Sequence, residues 1–251
     1  MLDNIDIVNV LFLDIETVSA QPTYDDLSED LQYLWKLKAK QILRKPAEEL
    51  TLEEVKELYP QRAAIYAEFG KIVCISVGFV VREAGKPLEL RVKSYAHEDE
   101  KVLLIGFSKL LDKYYTNLHS QYMCGHNIKE FDVPYMCRRI VINQLPLPKM
   151  LDIPGKKPWE LKHLLDTMEL WKFGDYKAYT SLRLLTAVFG IPSPKDDIDG
   201  SEVGGVFWND KDVERIAIYC EKDVLATTQL FLKFKCMDLL TEEQVLFVDR
   251  Q

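Results

Sequence analysis

The chain has little of what builds cofactor cradles, nucleophile elbows or zinc sites. It has four histidines in 251 residues, and no two of them stand in HExxH order, which argues against a zinc-protease helix. The five cysteines (Cys74, Cys124, Cys137, Cys220, Cys236) form no CxxC pair and sit mostly in apolar segments. That pattern fits reduced core thiols of a cytosolic protein better than disulfides or zinc ligands. The GxGxxG turn, the GxxxxGK[ST] phosphate loop and the GxSxG elbow are all missing, so dinucleotide, P-loop and serine-hydrolase chemistry find no support. No apolar stretch approaches the roughly 18 residues that a membrane helix needs. The start, Met1-Leu2-Asp3-Asn4, carries no basic n-region, so a secretory leader is not expected and a cytoplasmic location is. Internal repeats, low-complexity tracts and Pro/Ser linkers are also lacking, and a single domain over 1–251 is expected.

An apolar fraction of 47% beside 29% charged residues suffices for a buried core in a chain of this length. The net charge of −8 argues against extensive nonspecific coating of nucleic acid, which needs clustered Lys and Arg. It leaves room for a protein that grips only a strand end. The charge is uneven, because basic residues outnumber acidic ones between Lys149 and Lys195.

Ile7 to Leu13, interrupted only by Asn9, reads as a central strand covered on both faces, ending at Asp14–Glu16. From 22 to 69 the chain turns charged and leucine-rich at helical spacing, with a Thr51-x-x-Glu54 capping box; two helices joined around Pro46 are expected there as an insertion. Strands are expected at 71–81 and 88–95 as a hairpin, and at 121–124. Helices are expected near 99–115, 131–143, 159–171, 181–189 and 210–234, with loops over 145–160 and 192–209. A strand meander followed by alternating strands and helices predicts one mixed α/β sheet flanked by helices.

Three separated segments carry acidic residues in suggestive surroundings: Leu11-Phe12-Leu13-Asp14-Ile15-Glu16-Thr17, Gly125-His126-Asn127-Ile128-Lys129-Glu130-Phe131-Asp132 and Tyr219-Cys220-Glu221-Lys222-Asp223. In a strand, Asp14 and Glu16 project to one face and Ile15 to the other. Two carboxylates closing an apolar strand are costly to bury without a cation. Each segment also has an ordinary explanation. The strand ends in solvent, Asp132 caps a helix start, and Tyr219 and Asp223, four apart on a helix, share a hydrogen bond. Order, flanks and element placement together are more specific than any one segment.

Taken jointly, the three segments resemble the motifs of the DEDD (DnaQ-like) 3′–5′ exonucleases, and are similar to the exonuclease domains associated with family-B DNA polymerases. The resemblance covers most of the chain, with 22–69 the least characteristic part. It implies a ribonuclease H-like fold and hydrolysis that releases 5′-mononucleotides from a 3′ end. It also implies two divalent cations, Mg²⁺ or Mn²⁺, held by Asp14, Glu16, Asp132 and Asp223. Asp14 would bridge both ions, Glu16 and Asp223 would complete one, and Asp132 would act through water on the other. Tyr219 stands four before Asp223, where the tyrosine subgroup (DEDDy) has it, and position 218 is Ile rather than the histidine of the other subgroup. A phenol is a poor base near neutrality, so Tyr219 is expected to orient the attacking water. Ile15, Thr17, Asn127 and Phe131 are expected to contact the strand end, and Lys156, Lys157 and Lys172 its phosphates. His126 is expected to be structural or substrate-positioning.

The expected partner is a single-stranded 3′ end, DNA before RNA, with no membrane involved and any polymerase or repair partner unspecified. An exoribonuclease of the same fold and a non-catalytic nucleic-acid-binding module are the alternatives.

Overall fold

A computed structural model describes residues 2–46, 48–175, 179–192 and 198–248. The sheet is built outward from β1 (Val10–Ser19), whose apolar alternation serves two layers at once. Leu11, Leu13 and Ile15 enter the core on one face, while Val10 and Phe12 pack on the other. The strand does not stop at Asp14–Glu16, as the sequence suggests. It continues through a register shift between Glu16 and Thr17, because Thr17, Val18 and Ser19 keep pairing antiparallel with Ile72, Lys71 and Gly70. Buried Val18 packs against this extension, so ladder and packing together carry the strand past its polar pair.

The segment after β1 forms α1 (Glu29–Leu43) and α2 (Leu52–Arg62). Ser28 caps the first through the amide of Leu31, and the predicted Thr51–Glu54 box starts the second. These helices have an aromatic core of their own. The Trp35 ring is fully buried with its neighbours edge-on, Tyr59 at 5.2 Å and Phe69 at 5.1 Å between centroids, and its Nε1 donates to the Val55 carbonyl.

Then come β2 (Gly70–Val81), β3 (Glu89–Ala96), α3 (Glu100–Tyr114), β4 (Tyr122–Gly125) and α4 (Asp132–Ile142). They are followed by β5 (Leu164–Asp166), α5 (Thr167–Lys172), α6 (Leu182–Val188), α7 (Val203–Gly205), α8 (Val213–Phe234) and β6 (Val245–Phe247). The six strands form one sheet ordered β5-β4-β1-β2-β3-β6. The β1–β2 and β2–β3 pairs are antiparallel, and β1–β4, β4–β5 and β3–β6 are parallel. Helices α3 and α4 cover the Leu11–Leu13–Ile15 face, and α8 lies across the other against β1, β2 and β3. This is the mixed α/β sheet that the sequence predicts. Among the described residues no helix is long and apolar enough to cross a membrane.

Two stretches differ from expectation. The helix predicted over 159–171 yields first to β5, because Leu164-Leu165-Asp166 pairs parallel with Met123–Gly125; the helix begins only at Thr167, capped by Asp166. The expected loop over 192–209 is partly helical. Val203, Val206 and Phe207 join Val18 and Val73 in a core cluster, and α7 continues into a π-helical turn at Val206–Asp210. Trp208 Nε1 ties that turn to Ser19. Positions 193–197 of that expected loop lie outside the described residues. The short strand β6 has no counterpart in the sequence reading.

A buried ion pair fastens α4 to this frame. The Glu100 carboxylate accepts from the Ile72 amide at 2.7 Å, from Arg139 Nη2 at 2.6 Å and from Asn143 Nδ2 at 2.8 Å. Arg139 Nη1 and the Tyr135 hydroxyl reach on to the carbonyls of Ala67 and Ala64, so α4 also clamps the end of the segment that carries α1 and α2. Removing one partner of such a pair strands the other charge in the interior. Glu100→Ala is therefore expected to cost about 3–5 kcal/mol, read as a lower urea midpoint with an unchanged slope. A loss under about 1 kcal/mol would place the pair among inert surface bridges.

Candidate active site

The pleat of β1 turns Asp14 and Glu16 toward α8, away from Ile15, which lies in the opposite core layer at 5% exposure. Beyond Phe12, β1 no longer pairs with β4. The β4 chain leaves at Gly125, where any side chain would collide: a Cβ there would stand 2.9 Å from the Leu13 carbonyl oxygen. The Ile15 amide on the freed edge donates to the carboxylate of Asp132, the first residue of α4, whose own backbone amide does the same. Phe131 offers no side-chain cap, so Asp132 satisfies an otherwise orphaned helix-start amide. From the other side, α8 supplies Asp223, with Tyr219 one turn earlier.

All four carboxylates meet. Each of the six pairs among Asp14, Glu16, Asp132 and Asp223 repels through space. Burial, then neighbouring charge, raises Asp14 and Glu16 well above the carboxylate range. Asp132 is raised to about 7, again chiefly by burial, with Asp166 and Asp223 adding to it. Cys220 also stands in the cluster. Its Sγ lies 3.4 Å from the Asp14 backbone oxygen and 3.5 Å from Asp14 Oδ2, and one donor atom each of Asp14, Glu16 and Cys220 falls within 4.8 Å of the others. Burial, the Cys74 thiol and the carboxylates push the Cys220 thiol up. Such a set of buried, mutually repelling oxygen donors suits divalent cations.

The loop before Asp132 is held by a residue absent from the sequence reading. Asp166 accepts the amides of Asn127 (2.9 Å) and Lys129 (3.1 Å) while capping α5 through the amides of Met168 and Glu169. Asn127 adopts a left-handed conformation, φ 66°, which asparagine tolerates; its Nδ2 donates to the exposed Tyr179 hydroxyl at 2.8 Å. His126 bridges the Thr167 hydroxyl and the Thr180 carbonyl, each at 2.9 Å, so its contacts are structural. Asp166 stands in β5, which the sequence reading takes for helix. The signal for Cys220 was its place directly after Tyr219.

Of the other expected site residues, Thr17 hydrogen-bonds to Tyr135 on the α4 side of the strand. Phe131 packs its ring at 5.4 Å from that of Tyr135. Tyr219 is half-buried, with its hydroxyl 4.0 Å from where a Cβ on Gly200 would lie. Ile15 reaches the cluster only by its amide. Lys157 lies over the exposed Trp159 ring, and Lys156 and Lys172 are half-buried.

Residues 65–246 match a family described as a predicted 3′–5′ exonuclease related to the exonuclease domain of PolB. That range holds Asp132, Tyr219 and Asp223 and omits Asp14 and Glu16, whose place in the cluster rests on the geometry above. In structure the chain resembles the family B DNA polymerase from the hyperthermophilic archaeon Pyrobaculum calidifontis. The TM-score is 0.54 at 15% identity, over 90% of this chain and 24% of the polymerase. The shared feature is the ribonuclease H-like fold, and this chain spans about a quarter of the polymerase's length. Among curated proteins, none matches in sequence.

The cluster's burial has a measurable sign. Folded Asp132 titrates about 7 against 3.8 for the free group. A raised folded value lends stability at low pH that is lost as pH climbs through it. In chelator-treated protein the thermal midpoint is expected to fall between about pH 4 and pH 7, by an amount worth a few kcal/mol. Asp132→Asn should flatten that slope. A midpoint rising over the same range would contradict the burial of the cluster.

Proposed function

The chain belongs to the family of predicted 3′–5′ exonucleases related to the exonuclease domain of PolB, and from that premise we propose that it trims single-stranded DNA from its 3′ end, releasing 5′-mononucleotides. The observation that carries this reading is the meeting of four carboxylates from one strand and two helices, each repelling the other three. A scaffold gains nothing from such strain; a phosphodiesterase needs it to hold cations.

Asp14, Glu16, Asp132 and Asp223 would hold two divalent ions. Their hard oxygen donors fit Mg²⁺ or Mn²⁺. Once bound, the ions supply charge relief on the scissile phosphate and the acidity that makes water nucleophilic. The protein's own share is positional. The Ile15 amide and the start of α4 fix the Asp132 carboxylate, and Asp166 keeps the preceding loop in place. Tyr219 orients the attacking water through its hydroxyl, as in the tyrosine subgroup. Asn127, Phe131 and Thr17 border the strand end, and Lys156, Lys157 and Lys172 meet its phosphates. The chain acts as one exonuclease domain carrying an insertion over 22–69, in a reducing, cytoplasmic setting that suits its free thiols.

With Mn²⁺ and a labelled single-stranded DNA oligonucleotide, the full chain is expected to give a descending ladder from the 3′ end. Asp14→Asn should reduce the rate at least roughly thousand-fold, equivalent to about 4 kcal/mol of barrier, and Tyr219→Phe by about 100-fold. A faster ladder on the matching RNA would move the reading to an exoribonuclease. An uncut oligonucleotide, with Asp14→Asn indistinguishable from wild type, would refute hydrolysis altogether.

A further inference from the structure

Cys220 does not belong to the hard-donor arrangement just described, yet it is built into it. Its thiol is fully buried on α8, against β1, and faces Asp14 Oδ2 at 3.5 Å. A zinc–thiolate bond of about 2.3 Å and a zinc–carboxylate bond of about 2.0 Å, at a tetrahedral angle, set sulfur and oxygen about 3.5 Å apart. The observed separation, now that of a hydrogen bond from the thiol, is one that two ligands on a tetrahedral ion could share without moving apart. Glu16 offers a third donor within 4.8 Å of both, near enough to join after a small inward swing. Two strand residues and one helix residue thus converge with mixed oxygen and sulfur donors, and a fourth position is left for water or substrate.

We propose that Asp14, Glu16 and Cys220 form a second binding mode of this site, selective for thiophilic divalent cations of the zinc class. Selectivity follows from the sulfur. Magnesium gains little from a thiol and leaves it protonated, whereas zinc or cadmium displaces the proton. The balance is one S–H bond broken, one sulfur–metal bond formed and one proton passed to solvent, with no change of oxidation state. Because Asp14 and Glu16 are shared, a thiophilic ion in this mode excludes the hard cations and halts hydrolysis. This consequence rests on the proposed exonuclease reading; the binding does not.

Cadmium is the probe, added to the full chain in the Cys236→Ser background, since Cys236 is exposed and would bind it adventitiously. One equivalent of cadmium is expected to raise an ultraviolet sulfur-to-metal charge-transfer band, with release of about one proton. The band should vanish when Cys220→Ser is added and should need at least roughly tenfold more cadmium in Glu16→Gln. Should Cys220→Ser fail to fold, the NMR shift of cadmium bound to the Cys236→Ser protein decides alone: a mixed sulfur–oxygen environment supports the site. An all-oxygen shift, or a band that survives Cys220→Ser, overturns it. Cadmium bound through Cys220 in a chain that cuts no oligonucleotide would refute the exonuclease and leave this site standing. Cleavage without any sulfur band would do the reverse.

Discussion

Mutual repulsion among four buried and half-buried carboxylates is the constraint around which the rest of this molecule is arranged. Left to themselves, buried carboxylates hold their protons or drive the chain apart. Here none can swing away easily, because each is fixed by an element with obligations elsewhere. Asp14 and Glu16 belong to the central strand, Asp132 is locked by two amides, and Asp223 rides on the 22-residue helix that covers one face of the sheet. Without a cation the repulsion is therefore met by retained protons, and divalent ions would take the place of those protons.

Holding the four groups together requires stiff supports. The Glu100–Arg139 pair, itself buried and fully hydrogen-bonded, fixes α4 to β2 and to the segment before it. Asp166 acts in the same way on the loop that leads into α4, binding its amides while also starting α5. Both are acidic residues whose oxygens are taken up by donors, and Asp166 does so beside Asp132, whose carboxyl it helps to raise. Two acids taken up by amide and guanidinium donors thus frame four that repel one another.

Much of this was legible in the chain itself. The apolar run of β1, the 3.6-residue periodicity of α8 and the Thr51–Glu54 box are local signals, and local physics decides them. The four carboxylates were legible because their flanks and order survive in sequence. What escaped was decided at a distance. Leu164–Asp166 is a strand only because β4 lies beside it, and the turn at 203–210 is helical only because Val18 and Val73 await its apolar side. Ile15 was expected to face a strand end, but strand alternation sends its side chain into the opposite layer and leaves only its amide at the cluster. Cys220 looked like core, and it is; that it is also within reach of Asp14 depends on how α8 crosses β1, which no spacing rule reveals.

Residues Ser19 and Gly70 are partners in the β1–β2 ladder, so the segment with α1 and α2 leaves and rejoins the sheet at neighbouring positions, and α4 holds its end through Ala64 and Ala67. Those helices pack round Trp35 with a core of their own, yet they share this fastening with the helix that begins at Asp132. A change in how α1 and α2 pack would therefore reach the acidic cluster by way of α4. The family match begins at residue 65, close to where that segment rejoins the sheet. The matched range thus leaves out β1 along with α1 and α2, although β1 is the strand on which the whole sheet is built.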